Sequence, residues 1–262
     1  MEIDRSGLAE FLRRCRESLQ PEDVGLPRSQ RRRTSGLRRE EVAALSNMST
    51  DYYSRLEQQR GPQPSEQMIA SIAQGLHLSL AERDHLFRLA GHNPLTRTTA
   101  GEHIGPGMLR IFDRLRDTPA EIVTELGETL RQTDLAVALT GDLTHYRGPA
   151  RSIGYRWFTD ASSRLRYAPE DHPFLTLLWV SGLREVATPR GPKSRAAQLA
   201  DLLLARSEEF RALWSAHEVG VRPQQVKHFV HPEVGELELT CQILLDPEQA
   251  HSLLVYTAAS GS

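Results

Sequence analysis

The segment from Leu37 to Ala90 constrains the fold most, because short apolar stripes alternate there with helix breakers. Apolar residues recur at spacings of three and four, the period of an amphipathic helix, in four short runs. Ser49 and Ser65 stand where helix N-caps are expected, and Gly61 to Pro64 interrupts the pattern between them. The segment therefore predicts four short helices packed together, and a similar pattern predicts another helix over Ser6 to Leu19.

Two of these helices, joined by the turn Ser46-Asn47-Met48, have the pattern of a helix-turn-helix. The second helix, predicted over Thr50 to Gln58, turns Tyr53 and Leu56 toward the core and leaves a polar face outside. Arginine can bind guanine, threonine can touch a thymine methyl group, and aspartate can accept from cytosine. The candidate DNA-binding residues of this helix are Ser49 at the N-cap, Thr50, Asp51, Tyr52 and Arg55.

A basic stretch leads into the first helix of the motif, in a chain whose net charge is only −2. Six arginines and no acidic residue lie between Arg28 and Arg39. We expect Arg31, Arg32 and Arg33 to form an arm that binds the DNA backbone or minor groove, and Arg38 and Arg39 to hold phosphates. A helical bundle that binds no nucleic acid remains an alternative for the helix pattern taken by itself.

A long stretch, Gly36 to Gly91, resembles the N-terminal domain of the actinobacterial MmyB-like regulators, a branch of the Xre-type helix-turn-helix repressors. The motifs that carry the resemblance are GLRREEVA, DYYSRLEQ, GPQPS and AERDHLFRLA. The resemblance implies an all-α, lambda-repressor-like DNA-binding domain, which we assign to residues 1–92.

Two positions depart from this family, because Asn47 and Gln59 stand where its members usually have glycine. Asparagine tolerates a left-handed backbone, so we expect the turn at Asn47 to be kept. Gln59 is expected to shift the end of the recognition helix toward Gly61.

Residues 93–106, in which threonine, glycine and proline dominate, are predicted to be a linker. Beyond it the pattern changes to mixed strands and helices over residues 107–262. Strands are expected at residues 121–123, 129–132, 226–231, 237–245 and 252–256, and helices at residues 135–139, 174–186, 194–204 and 207–216. Asp134 is the expected N-cap of the first of these helices. A small antiparallel sheet with helices inserted between its strands is an α+β layer fold.

The second half also resembles the MmyB-like regulators, through FRALWSAHEV at residues 210–219 and KHFVHPEVGELELTCQILL at residues 227–245. The family's C-terminal domain is similar to PAS folds and is regarded as ligand-binding. This implies a PAS-like sensing and dimerisation domain over residues 107–262. The chain departs from the family at Gln132-Thr133, where a Trp-Asn pair is usual, and in the divergent region 143–167.

Domains with a PAS-like sheet bind small molecules between the sheet and its covering helices, where apolar and aromatic side chains meet a few polar groups. Each aromatic residue in that region can equally be a core residue that only fills space. The candidate ligand-binding residues are Tyr146, Tyr155, Trp157, Phe158, Phe174, Leu178, Trp179 and Trp214.

Other classes of protein are disfavoured by what the sequence lacks. It contains no GxSxG, HExxH, phosphate-loop or dinucleotide motif, so we expect neither an enzyme nor a cofactor. The histidines do not have metal-ligand spacing, and Cys15 and Cys241 lie far apart without a CxxC partner. Apolar runs fall well short of the roughly 20 residues of a membrane span, and the acidic start argues against a signal peptide, so a cytoplasmic location is expected.

These observations and the resemblance together predict a homodimeric transcription regulator that binds a double-stranded DNA operator. A small, largely apolar ligand, for which a fatty-acid-like molecule is one candidate, is expected to modulate that binding. In the alternative interpretation the second domain is only a dimerisation or protein-contact module.

Overall fold

The computed structural model describes residues 3–27, 34, 36–93, 101–246 and 250–258. The chain divides into two units. The first, called the helical unit, contains the described residues up to 93 and those from 101 to 114; the second, called the sheet unit, begins at Leu115. Within the described ranges, every helix is too short or too polar to span a lipid bilayer.

The helical unit is built from short helices, as the period-three-and-four pattern predicts. They are α1 (Arg5–Ser18), α2 (Arg39–Leu45), α3 (Thr50–Glu57), α4 (Glu66–Gly75), α5 (Leu80–Leu89) and α6 (Pro106–Phe112). A serine caps each of α3, α4 and α5, because the hydroxyl of Ser49, Ser65 or Ser79 accepts a hydrogen bond from the backbone N–H three residues later. The predicted all-α class of this part of the chain is confirmed.

One apolar core fills the helical unit. Tyr53 and Leu56 of α3 are buried in it, as their spacing predicts. Gly36 allows the chain before α2 to lie against α1, because a Cβ atom there would come within 2.5 Å of the Glu17 backbone. The main contributors to this core are Leu8, Leu12, Leu37, Val42, Tyr53, Leu56, Ile69, Ile72, Leu86 and Phe87.

Helices α2 to α5 all end with a residue in the left-handed conformation. Those residues are Asn47, Gln59, His77 and Gly91, with φ of 51°, 60°, 50° and 81°. In each case the next N–H donates to the carbonyl five residues earlier, as when Arg60 N donates to Arg55 O at 2.8 Å. The turn at Asn47 is kept as predicted. The predicted shift of the α3 end toward Gly61 is wrong, because Gln59 adopts the left-handed conformation itself and α3 ends at Glu57.

The left-handed Gln59 should cost the folded state stability that glycine would restore. A side chain in this conformation is disfavoured by about 1 kcal/mol, so we expect Gln59→Gly to raise the free energy of unfolding by about that amount. Urea denaturation of the two proteins measures the difference. Gln58→Gly is the matched control: its φ is −97°, so glycine should lower stability there by roughly 0.5–1 kcal/mol. Equal changes in both variants would contradict this account.

Residues 94–100 of the predicted linker lie outside the described ranges, whereas the following segment packs within the helical unit. Ile104 is buried, and its N–H donates to Gln74 Oε1 at 3.0 Å. Arg114, just beyond α6, donates through Nη2 to Glu22 O at 3.2 Å. The segment that follows residue 100 is therefore held by hydrogen bonds to earlier parts of the helical unit.

The sheet unit contains one antiparallel sheet. Its strands are β1 (Ala120–Thr124), β2 (Thr129–Gln132), β3 (Val226–His231), β4 (Gly235–Asp246) and β5 (His251–Ala258), in the order β2-β1-β5-β4-β3. The helices of this unit all lie in sequence between β2 and β3: α7 (Asp134–Thr140), α8 (Ile153–Thr159), α9 (His172–Arg190), α10 (Arg195–Arg206) and α11 (Glu208–Ser215). The predicted α+β class is confirmed.

Two details of the sheet unit differ from the sequence prediction. The N-cap of α7 is Thr133 and not Asp134, because the Thr133 hydroxyl accepts from Ala136 N at 3.3 Å. Helix α8 was not predicted, since it is a short element within the divergent region 143–167. It begins at the N-cap Ser152, whose hydroxyl also donates to Leu126 O at 2.7 Å and so ties α8 to the turn after β1.

Candidate functional site

The N-terminal end of α3 offers polar side chains to solvent. Ser49, Thr50 and Asp51 are exposed at its first turn, and Arg55 follows one turn later, while Tyr52 is half-buried against the helical core. The Ser49 hydroxyl accepts from Tyr52 N at 3.2 Å and leaves other N–H groups of the first turn unpaired by the helix. The five residues predicted to bind DNA are thus adjacent on one helix end.

Asp51 and Arg55 form an ion pair on this exposed face. Their side chains are one helical turn apart, with Arg55 Nη2 at 2.6 Å from Asp51 Oδ2. Both are largely exposed, at 71 % and 57 % of the side chain. Because a guanidinium has five N–H donors, Arg55 can keep this contact and still offer two donors to a base edge.

A buried carboxylate fixes α3 against its neighbours. Glu57 is fully buried at the end of α3, where Arg16 Nε of α1 lies 2.6 Å from Oε1 and Arg39 Nε of α2 lies 2.8 Å from Oε2. Arg16 also donates to Leu37 O at 3.0 Å. Sequence reasoning missed Glu57, although it lies four residues after Tyr53 on the buried side of the helix. The cluster of Arg16, Arg39 and Glu57 is called the arginine clamp below.

The arginine clamp keeps Glu57 ionised. Burial by itself raises the pKa of this carboxyl, but hydrogen bonds from Arg16 and Arg39 outweigh burial, so the pKa lies below its ordinary value of 4.5. Arg39, predicted to hold a phosphate, leaves 42 % of its side chain exposed while it contacts Glu57. It can therefore contact Glu57 and face solvent at once.

Removing the Glu57 charge should destabilise the protein strongly, because Arg16 would lose its buried counterion and keep only the half-exposed Glu17, 3.1 Å away. We expect Glu57→Gln to lower the free energy of unfolding by about 3–5 kcal/mol at neutral pH. A lowered pKa stabilises the fold above the unfolded pKa, so this contribution is lost as pH falls below about 4.5 and through the folded pKa. Denaturation of both proteins from pH 7 to pH 3 measures the effect.

The matched control for this prediction is Glu40→Gln, which removes an exposed acid 3.6 Å from Arg38. An exposed pair contributes at most about 1 kcal/mol, so this variant should keep most of the wild-type stability. The explanation is wrong if Glu57→Gln and Glu40→Gln lose the same amount.

The remaining basic candidates are only partly described. Arg38 lies at the N-cap of α2, where its backbone N–H donates to Glu41 Oε2 at 2.6 Å and its side chain is 41 % exposed. Arg31, Arg32 and Arg33 lie outside the described residues.

The sheet unit contains a cavity of about 590 Å³ between one face of its sheet and helices α8, α9 and α10. Alternate strand residues face it, since side chains of a strand point to opposite sides in turn. The sheet contributes Glu121, Val123, Thr129, Lys227, Phe229, Cys241, Ile243, Leu245, Ser252, Leu254 and Tyr256. The helices contribute Ile153, Gly154, Tyr155, Phe158, Leu175, Leu178, Trp179, Gly182, Leu183, Glu185, Val186, Leu199 and Leu203.

A small polar group interrupts the apolar wall of the cavity. The buried Glu121 carboxyl accepts from Tyr256 Oη at 2.9 Å and from Thr129 Oγ1 at 3.3 Å. Burial raises the pKa of Glu121 and outweighs these hydrogen bonds. Burial, together with the charge of Glu121, also raises the pKa of Tyr167 to about 12. These shifts all favour the neutral form of the side chain, whereas Glu185 and Arg222 of the same wall form an ion pair, with Arg222 Nη1 at 3.4 Å from Glu185 Oε2.

Comparison with protein families identifies both halves of the chain. A family model for the MmyB-like transcription regulator ligand binding domain matches residues 104–262, and a helix-turn-helix domain model matches residues 8–86. The chain belongs to the MmyB-like transcription regulators. The resemblance found in the sequence is thus confirmed, and the DNA-binding and ligand-binding domains of this MmyB-like regulator are both regulatory modules. A comparison with curated proteins gave no match.

Half of the ligand-binding candidates predicted for this MmyB-like regulator line the cavity. Tyr155 and Phe158 reach it from α8, and Leu178 and Trp179 reach it from α9. The helical period brings the α8 pair, three residues apart, to one side of that helix, whereas the adjacent α9 pair is rotated by about 100° and lines a wider part of the cavity.

The other four candidates are not among the cavity-lining residues. Trp157 is buried, with Nε1 donating to Thr176 Oγ1 at 2.9 Å, and Phe174 packs in the same cluster. Trp214 stacks on Phe210 with ring centroids 5.3 Å apart, and Tyr146 lies under the Arg156 guanidinium at 4.0 Å. Each of these rings has a contact within the protein.

Sequence reasoning missed the cavity-lining residues of the strands and the glycine of α9. The alternation in β4 of Leu239, Cys241, Ile243 and Leu245 was a usable signal, because it marks one face of the sheet. Glu121 and Lys227 gave no signal of their own, since polar residues in strands usually face solvent.

Proposed function

We propose that this MmyB-like regulator is a homodimer that reads two half-sites of a DNA operator and whose binding is modulated by a small, largely apolar ligand in the sheet-unit cavity. The observation that carries the ligand part is the 590 Å³ cavity, which is within the range of about 300–1,000 Å³ typical of small-molecule sites. The alternative, a second domain that only dimerises or contacts proteins, gives no reason for such a space.

In the DNA part of the proposal, α3 enters the major groove with Thr50, Asp51, Tyr52 and Arg55 toward base edges. Ser49 and the exposed N–H groups of the first turn lie beside the backbone. Arg38, Arg39 and the basic residues Arg31, Arg32 and Arg33 supply phosphate contacts. The arginine clamp supports this role because it fixes the orientation of α3 relative to α1 and α2.

The two kinds of DNA contact should respond differently to mutation. Arg55→Ala should relax the base preference at one or two positions of each half-site, at a cost of roughly 1–3 kcal/mol against the preferred base. Arg38→Ala should weaken binding to all sequences alike and reduce the salt slope by about one unit. Competition binding on randomised duplexes, at several salt concentrations, separates these outcomes. A uniform loss for Arg55→Ala would assign that residue to the backbone instead.

The number of chains bound to one operator duplex tests whether the protein is a dimer. Two helix-turn-helix domains read half-sites about 34 Å apart or a multiple of that distance. Sedimentation of the full chain with operator DNA should show two chains per duplex, and free protein should sediment as a dimer. A complex of one chain per duplex with full affinity would contradict the dimer.

Gly182 supports the ligand part of the proposal. It lies within α9 and lines the cavity, and a Cβ atom built on it would meet nothing within 4 Å. Glycine inside a helix costs about 1 kcal/mol relative to alanine, and here close packing does not require it. The missing side chain instead leaves space in the cavity.

Filling this space should raise the stability of the protein and weaken its binding of an apolar ligand. We expect Gly182→Leu to raise the melting temperature, because it improves helix propensity and fills a void, and to weaken the binding of an apolar dye such as N-phenyl-1-naphthylamine at least tenfold. Gly107→Leu is the control, since Gly107 is an exposed helix glycine with equally open space but lies in α6, outside the cavity. Unchanged dye affinity in Gly182→Leu would show that the cavity is not the binding site.

A further inference from the structure

The chain uses arginine for nearly all of its positive charge. Of its 32 basic residues only two are lysines, Lys193 and Lys227. In the part of the chain that the structure describes, the ion pairs between a carboxylate and a lysine or arginine all use arginine, as in the arginine clamp. Arginine stays protonated at any physiological pH, whereas a lysine amine can lose its proton and become a nucleophile. The position of each lysine is therefore informative.

One of the two lysines lies in the wall of the ligand cavity. Lys227 is on β3, faces the same side of the sheet as Phe229, and is half-buried. Among the described residues, no carboxylate forms an ion pair with its amine and no acceptor receives a hydrogen bond from it. Lys193, by contrast, is exposed just before α10 and does not line the cavity.

The surroundings of Lys227 favour its neutral amine. Burial lowers the pKa of Lys227, and the opposing effects of Cys241 and Asp171 do not restore it. The neighbouring thiol is affected in the opposite sense, because burial raises the pKa of Cys241 to about 11. Both shifts favour the uncharged forms, a thiol at Cys241 and a neutral amine at Lys227, and of these two forms the amine is the nucleophile for a carbonyl group.

We propose that Lys227 attaches an apolar aldehyde or ketone reversibly, as an imine inside the cavity. The lone pair of Nζ attacks the carbonyl carbon and gives a carbinolamine. Its C–O bond then breaks, the oxygen leaves as water with the two amine hydrogens, and a C=N bond remains. No electrons are gained or lost, and hydrolysis reverses the step. This inference rests on the proposed ligand cavity and specifies the chemical class of its ligand.

A fixed cation for an acidic ligand is the competing role for Lys227. Arginine would serve that role well, because its guanidinium binds carboxylates through two donors. Arginine cannot form an imine, since it does not give up its proton. In a chain that uses arginine for thirty of its cations, lysine at this one cavity position favours the carbonyl reaction.

The scarcity of lysine makes the proposal directly testable. In the full chain carrying Lys193→Arg, Lys227 is the only lysine. Octanal is added with sodium cyanoborohydride, which reduces imines, and the protein is analysed by intact mass and peptide mapping. We expect an addition with the mass of octanal less one oxygen atom on the peptide that contains Lys227, at least tenfold faster than the same addition to the α-amino group, which peptide mapping distinguishes. In the wild-type chain, modification of Lys193 should be at least tenfold slower.

Two variants of Lys227 separate the covalent role from the ionic one. Lys227→Arg keeps the charge and Lys227→Met removes it, and both should lose octanal trapping while melting temperatures report that they fold. Octan-1-ol, which has no carbonyl group, and octanoate serve as matched ligands.

Equal modification of Lys193 and Lys227, or no modification of Lys227, overturns the proposal. Octanoate binding that survives in Lys227→Arg and fails in Lys227→Met, without octanal trapping, identifies an ionic anchor. If dye, octanol and octanal all fail to bind, the ligand cavity itself is refuted.

Discussion

The orientation of the recognition helix depends on a carboxylate that is buried among helices and would be costly there without its partners. Glu57 ends α3, and its two oxygens are held by arginines from α1 and α2, so three helices meet at one charge. Apolar packing alone has little directional preference, whereas charge-assisted hydrogen bonds have short, directed geometry. The clamp thus determines where the exposed end of α3 stands relative to Arg38 and Arg39, which begin α2.

The sheet unit combines close packing with an unfilled space in its cavity, beside Gly182 of α9. Its strands send apolar side chains toward α8, α9 and α10, yet the middle of α9 carries a glycine where a larger residue would fit. A void in a protein interior normally costs stability, because its walls lose contact partners. Binding an apolar molecule would recover those contacts and would therefore stabilise the sheet unit.

Several polar groups of this cavity have environments that suppress charge, although Glu185 and Arg222 of its wall form an ion pair. Glu121, Tyr167 and Cys241 are all shifted toward their neutral forms by burial, and Lys227 is shifted toward its neutral amine. In the helical unit the opposite holds, since Arg16 and Arg39 keep Glu57 ionised.

The sequence by itself determined the helices, the strands and the exposed face of α3, because periodicity, serine caps and the family motifs are local signals. It also identified both domains. It was wrong about the helix end at Gln59 and did not predict α8, and four of its eight ligand candidates do not line the cavity. Only the tertiary structure decided which residues form the cavity wall. The strand order brings Glu121 of β1, Cys241 of β4 and Lys227 of β3 onto one face of the sheet. In the sequence, β1 is more than 100 residues from β3 and β4. Likewise Glu57 meets Arg16 only because helix packing places two distant turns together, a contact that no local pattern encodes.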